Sequence, residues 1–311
     1  MEKVRVAIIG YGFLGKWHAE KADLIKDSEL IAIVDPSAES QKKALEKFPS
    51  VKIVSDINQV IDEIDAAIIV TPTSTHYKLV DQLLDQKKHV FCEKPLTSTS
   101  AESEKILLKT NNAKQIVQVG HSERFHEVWE KTEYFQQYLI APYSIKISRY
   151  APFKGRATDV DVVQDLMIHD LDIMRMLLTK EPLSVSSIGF KSLTDKWDHV
   201  ESFFELPEDS HCSIIVGRHS VEEIRKVELT NRNGTFQIDL LKCRLAWTEN
   251  EELKTLDYSK RDHLLIEQEE FYQSILHNSK TRVNASEGAK AVNLVEKVLD
   301  SLETGKKINV C

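Results

Sequence analysis

The chain has 311 residues, of which 41% are hydrophobic and 29% charged, with only 10 glycines and 8 prolines; this excludes a collagen-like, low-complexity or mainly disordered chain and suits roughly two domains. Lys and Arg total 41 against 49 Asp and Glu, a net charge of −8, which disfavours a nucleic-acid binder driven by bulk charge but leaves room for a local basic pocket. The four cysteines, Cys92, Cys212, Cys243 and Cys311, form no C-x-x-C pair, so neither a disulfide framework nor a metal site is expected. With no long apolar run, a cytoplasmic protein without a membrane span is expected.

The first third alternates short β-branched runs with helical periodicity. The runs Val4–Ile9, Leu30–Val34, Ala66–Val70, Val90–Cys92 and Ile116–Val119 read as strands buried on both faces. Amphipathic stretches at Phe13–Leu24, Ala38–Lys47, Ser74–Gln86 and Ala101–Lys109 lie between them. Strand alternating with helix predicts a doubly wound α/β domain over residues 1–121. Residues 122–311 predict an α+β domain: a linking helix at Glu123–Tyr138, a strand at Pro142–Tyr150 and a buried helix at Val162–Leu178. Strands follow at Leu183–Phe190, His199–Glu205, Cys212–Arg218, Val227–Thr230 and Thr235–Leu240, with an Asn233-Gly234 turn. Strands without intervening helices predict an antiparallel sheet. Helices at His263–His277 and Ser286–Glu303 close the chain.

Gly10-Tyr11-Gly12-Phe13-Leu14-Gly15 is a G-x-G-x-x-G run placed after a strand and at the start of a helix. Gly10 permits a tight turn, Gly12 lets backbone approach a diphosphate, and Gly15 lets helix and strand pack closely; the helix N-terminus then offers amides to the anion. Asp35 ends the second strand, where a carboxylate accepts ribose hydroxyls and repels a 2′-phosphate, favouring NAD. Lys42 and Lys43 follow closely, so NADP is not excluded. The alternative is a tight βα turn without a ligand. Thr71-Pro72 with His76, and Glu93-Lys94-Pro95, follow the next strands at the carboxyl edge, where such sheets bind ligands. Ser74 or Thr75 also reads as a helix cap, and His76 as structural. Lys94 reads either as an electrophile or proton donor, or as a solvated lysine. Asp165 and His169, four apart in a helix, share a face; either the carboxylate tunes a general base, or a core histidine has a local partner. Asp172 completes a weaker metal reading. Arg124, Arg149, Lys154 and Arg156 surround the approach to that helix and suit a diphosphate or sugar clamp, or an ordinary solvated surface.

Taken in this order, these residues together with Gly120-His121 resemble the Gfo/Idh/MocA oxidoreductases over nearly the whole chain. The resemblance implies an N-terminal Rossmann domain, a C-terminal α+β domain with a largely antiparallel open sheet, and homodimers or homotetramers assembled through the sheet face. It implies hydride transfer between NAD(P) and a ring carbinol of a sugar, with His169 as general base, Lys94 stabilising the alkoxide and Asp165 orienting His169. Cofactor contacts fall on Gly10, Gly12, Phe13, Leu14, Gly15, Asp35, Thr71, Pro72, His76, Glu93 and Lys94. Substrate contacts fall on Arg124, Arg149, Arg156, Asp165 and His169. Gly120-His121-Ser122-Glu123-Arg124-Phe125 and the stretch from Arg149 to Asp172 resemble a subgroup that includes UDP-N-acetylglucosamine 3-dehydrogenase-like enzymes. Ala151, Asp161 and Met167 depart from its pattern. The expected substrate is a nucleotide-activated hexosamine oxidised at C3; a free inositol or aldose and a non-catalytic dinucleotide sensor are the alternatives.

Overall fold

The structure is a computed structural model that describes residues 3–111, 114–153, 155, 160–178 and 180–310. The chain forms two compact units, Met1–Ser122 with Asp262–Val292, and Glu123–Arg261 with Asn293–Cys311.

The first unit carries strands β1 (Val4–Ile9), β2 (Ser28–Val34), β3 (Lys52–Val54), β4 (Ala66–Ile69), β5 (His89–Glu93) and β6 (Val117–Gly120), joined by helices α1 (Phe13–Leu24), α2 (Ala38–Lys47), α3 (His76–Asp85) and α4 (Ser100–Thr110). All pairings are parallel, in the order β3-β2-β1-β4-β5-β6. The strand order reverses between β1 and β4, which opens a crevice beyond their carboxyl ends. The central strands VRVAII and AAII are almost wholly buried, as a sheet covered on both faces requires. On α1 the small Gly15, Ala19 and Ala22 are buried with His18, letting the helix lie close to the sheet.

In the second unit β7 (Ser144–Tyr150), β8 (Ser184–Phe190), β9 (His199–Glu205), β10 (His211–Gly217), β11 (Ile224–Asn231), β12 (Gly234–Asp239), β13 (Arg244–Glu249), β14 (Glu252–Asp257) and β15 (Ile308–Asn309) form one sheet in the order β14-β13-β12-β11-β7-β10-β9-β8-β15. Its pairings are antiparallel except β7 with β10. Alternation decides the faces: Ile145 and Ile147, Ile214 and Val216, and Val227 and Leu229 point into the core. The other face carries polar residues with exposed Ile188 and Phe203.

The predicted linking helix is not continuous. Short 3-10 turns at Ser122–Phe125, Glu127–Glu130 and Gln136–Leu139 flank a single α turn, α5 (Thr132–Phe135). Extended backbone at His126 breaks the helix, and the Glu123 and Arg124 side chains turn inward. The predicted helix at Val162–Leu178 is also two things, a π turn at Val163–Met167 followed by α6 (Ile168–Leu177). The chain closes with α7 (His263–His277) and α8 (Ala285–Thr304). Phe271 and Tyr272 of α7 join the core that β1, α1 and Phe91 of β5 build, so this helix belongs to the first unit although a cut at residue 121 assigns it to the second.

Candidate active site

The first unit presents a dinucleotide cradle. Gly10 has φ +97°, and a Cβ there would meet the Val70 carbonyl oxygen at 2.6 Å; a Cβ on Gly15 would collide with the Gly10 carbonyl. Both positions therefore need glycine, for the left-handed turn and for close approach. Gly12 is the N-cap of α1 and contributes no side-chain cap, so the first amides of that helix keep their donors for another acceptor. Gly10, Gly12, Asp35, Thr71 and Pro72 line one cavity of about 780 Å³. The buried Asp35 carboxylate is aimed by two amides: Tyr11 N–H donates to Oδ2 at 2.7 Å and Ser37 N–H to Oδ1 at 2.8 Å. A carboxylate has about four acceptor sites, so two remain for ribose hydroxyls. Phe13 and Leu14 are exposed at the start of α1. Glycine cradle, uncapped helix end and aimed acid fit a dinucleotide.

His76 stands behind this wall rather than in it. Its ring is 1% exposed, with Nδ1 2.7 Å from the Pro95 carbonyl and Nε2 2.9 Å from the Thr71 carbonyl. It is a strut between two loops. Glu93 is buried at the end of β5, and Lys94, half-buried, follows it. Glu93 Oε1 lies 2.8 Å from His18 Nε2, and the Lys94 N–H donates to Oε2 at 3.2 Å. Burial works against the Glu93 charge, but the hydrogen bond to His18, with Lys94 nearby, holds its carboxyl below the usual range. His18 and Glu267 are residues the sequence reading passed over. A histidine inside a helix and an acid on an apolar helix face were the available signals.

In the second unit Asp165 lies in the π turn and His169 in the first turn of α6, both half-buried, while Asp170 and Asp172 beside them are 0% exposed. The π turn alters the simple four-residue spacing on which the shared-face expectation rested. It leaves Asp165 and His169 as the accessible pair and turns the neighbouring acids inward.

Those inward acids change the reading of the arginines. Arg124, 6% exposed, donates from Nε and Nη2 to both Asp172 oxygens at 2.7 and 2.6 Å. Arg149, 3% exposed, donates from Nε to Asp170 at 2.9 Å and from Nη1 to Glu123 Oε1 at 3.1 Å. Arg225, also missed, donates from Nη1 to Glu123 at 2.6 Å. Burial opposes the Glu123 charge, but Arg149, the His126 hydrogen bond, Arg225 and His169 hold its carboxyl well below the usual range. Burial raises Asp170, an effect that Arg149 partly offsets. Arg124 and Arg149 are therefore buried and held by ion pairs with Asp172, Asp170 and Glu123. Asp172, paired with Arg124, leaves the weaker metal reading. Arg156 and Lys154 lie outside the described residues.

No helix among the described residues is long and apolar enough to cross a membrane. Residues 4–121 match the sequence model of Gfo/Idh/MocA, the oxidoreductase family with an NAD-binding Rossmann fold. The chain is 31% identical over 291 residues to UDP-N-acetylglucosamine 3-dehydrogenase from Acidithiobacillus ferrooxidans, covering 88% of this chain and 90% of that protein. A solved structure of that enzyme superposes with a TM-score of 0.90 over 98% of this chain and 99% of the other, at 28% identity. A myo-inositol 2-dehydrogenase from Thermotoga maritima is 30% identical over 60% of this chain and 58% of its own. A scyllo-inositol dehydrogenase from Lactobacillus casei, solved with NAD(H) and scyllo-inositol, shares the fold at a TM-score of 0.85 and 22% identity, over 99% of both chains.

Proposed function

This chain belongs to the Gfo/Idh/MocA family of NAD-binding oxidoreductases, and on that premise we propose that it oxidises a ring carbinol of a nucleotide-activated hexosamine, at C3 of the sugar. NAD, when bound, supplies the hydride acceptor. The cradle of Gly10 and Gly12 with the α1 amides holds the diphosphate, and Asp35 holds the adenosine ribose. Thr71 and Pro72 form the wall along the dinucleotide. His169 takes the hydroxyl proton as general base, Asp165 orients it and binds a sugar hydroxyl, and the Lys94 ammonium stabilises the developing alkoxide. The diphosphate of the substrate falls to Arg156, since Arg124 and Arg149 are spent on buried acids.

One observation carries the catalytic assignment: at the π turn Asp165 and His169 are half-buried where Asp170 and Asp172 are wholly buried, at the kind of helix irregularity that recurs at functional sites. The substrate class rests on similarity to a UDP-N-acetylglucosamine 3-dehydrogenase that runs through both units, whereas the inositol enzyme from Thermotoga aligns over a shorter stretch. A homodimer or homotetramer through the outer face of the nine-stranded sheet is part of the proposal, supported by exposed Ile188 (71%) and Phe203 (46%) there. Lys94→Ala and His169→Ala are each expected to lower turnover by about 10²–10⁴-fold while sparing NADH binding measured by fluorescence. Full turnover in either variant removes that residue from the mechanism.

A further inference from the structure

A buried polar cluster in the first unit has no part in the reaction as described so far. His18 of α1, Glu93 at the end of β5 and Glu267 of α7 place their ligand-capable atoms within 4.8 Å of one another, and His18 and Glu267 are 0% exposed. Both Glu267 oxygens lack a hydrogen-bond partner. Two occupants compete for such a place, a divalent cation and a proton.

The hydrogen-bond directions decide between them. Tyr272 O–H donates to Gln268 Oε1 at 3.1 Å, and the amide orientation is set on its other side, where the His18 carbonyl can only accept. Gln268 Nε2 then donates to the His18 carbonyl at 3.3 Å and meets His18 Nδ1 at 2.8 Å, so Nδ1 is the acceptor. The remaining nitrogen, Nε2, carries the ring proton and donates it to Glu93 Oε1 at 2.8 Å. A metal would need that nitrogen as a bare lone pair, with Nδ1 donating outward to an acceptor; here an amide N–H faces Nδ1. The cluster is built around protons, and burial with the nearby charge of Glu93 raises the Glu267 carboxyl well above the ordinary glutamate range.

We propose that His18 is a positioning residue for hydride transfer: oriented by Gln268 and Tyr272, it fixes the Glu93 carboxylate and through it the turn that presents Lys94. That turn is gripped on a second side, where the Pro95 carbonyl meets His76 Nδ1 at 2.7 Å. The fit around Glu93 is tight, since a Cβ on Gly120 would come within 2.8 Å of Glu93 Oε1. His18 stands on the helix whose N-terminus opens the dinucleotide cradle, and His76 bonds Thr71 in the cavity wall. One rigid network therefore joins the cofactor loops to the Lys94 turn. The groups that face Glu93 are His18 from α1, Lys94 on its own turn and Glu267 from α7, with Glu270 and Asp262 acting on Glu267.

This inference rests on the reading that Lys94 acts on the substrate, and the test separates the two. His18→Ala, His18→Gln and Lys94→Ala are compared for NADH affinity, kcat, KM, the pH profile of kcat/KM and the thermal midpoint. His18→Ala is expected to lower kcat by about tenfold to a hundredfold, the scale of a catalytic group misplaced by an ångström. NADH affinity stays within about twofold, and the pH profile moves because Glu93 has lost its donor. His18→Gln, whose amide can donate to Glu93, restores kcat to within about threefold of the parent. An unmoved pH profile with kcat falling only in step with the folded fraction overturns the inference, as does a Gln variant no better than Ala. A divalent ion retained at one per chain and released by Glu267→Gln overturns it too. Full turnover in Lys94→Ala overturns the underlying reading instead; a dead Lys94→Ala beside a fully active His18→Ala overturns this inference alone.

Discussion

Glu267→Gln should make the protein more stable at neutral pH. The carboxyl of Glu267 is 0% exposed, and neither of its oxygens has a partner. Burial, then the charges of Glu93, Glu270 and Asp262, raise its pKa well above the ordinary glutamate range. An ionised carboxylate there would meet a desolvation cost of several kcal/mol with nothing to repay it. The folded protein therefore keeps the proton while the unfolded chain releases it. Between the ordinary glutamate pKa and the raised folded value, the folded state binds more protons, so stability falls as pH rises, by about 1.4 kcal/mol per pH unit. Glutamine keeps the shape of the neutral acid and removes the titration. Urea unfolding at pH 5, 6 and 7 should show the variant gaining on the parent as pH rises, by at most about 1.4 kcal/mol per pH unit. Parallel stability curves for the two proteins, or a variant that loses ground as pH rises, would refute a protonated Glu267.

Arg124→Ala should cost about 3–5 kcal/mol in urea unfolding, because it removes the two-point ion pair made to the wholly buried Asp172. A rise in KM for a sugar nucleotide with an unchanged unfolding midpoint would return Arg124 to substrate binding. Asp198 accepts N–H bonds from Ser192, Leu193 and Thr194 and from Arg218 Nε, which together overcome burial and depress its pKa. Its stabilisation is present above the ordinary aspartate range and is lost as pH falls through the lower folded value. Asp198→Asn should therefore cost about 1–3 kcal/mol at pH 7 and lose its deficit in acid; a deficit that persists undiminished at pH 2 would contradict the linkage.

The Rossmann half was legible because its signals are local. β-branched runs buried on both faces and a glycine run between strand and helix announce themselves within about thirty residues. What stayed hidden was either short or long-range. β3 is three residues, Lys-Ile-Val, too short for any period. The β13–β14 hairpin turns at Asn250-Glu251, both with positive φ, where the usual Asn-Gly signal is missing, and β14 is mostly exposed. The return of α7 to the first unit depends on Phe271 and Tyr272 finding a core built some 200 positions earlier in the chain, which no window shows. The pairing of the arginines stayed hidden for a related reason. A basic residue near a site reads the same whether it meets a ligand or a buried acid, and pairing across 48 positions, as in Arg124 with Asp172, is a property of the fold. The strand-end Glu93 and Lys94 were visible, but the histidine and glutamine that hold Glu93 sit on helices whose contact is tertiary.

The most direct test uses UDP-N-acetylglucosamine carrying deuterium at C3, incubated with NAD and the intact protein. The account predicts NADH formation, deuterium at the nicotinamide C4 of the product, a primary isotope effect on kcat/KM and loss of the signal in Lys94→Ala. Turnover of a free cyclitol with no reaction of the UDP-sugar, or NADH formed without the label, would contradict it.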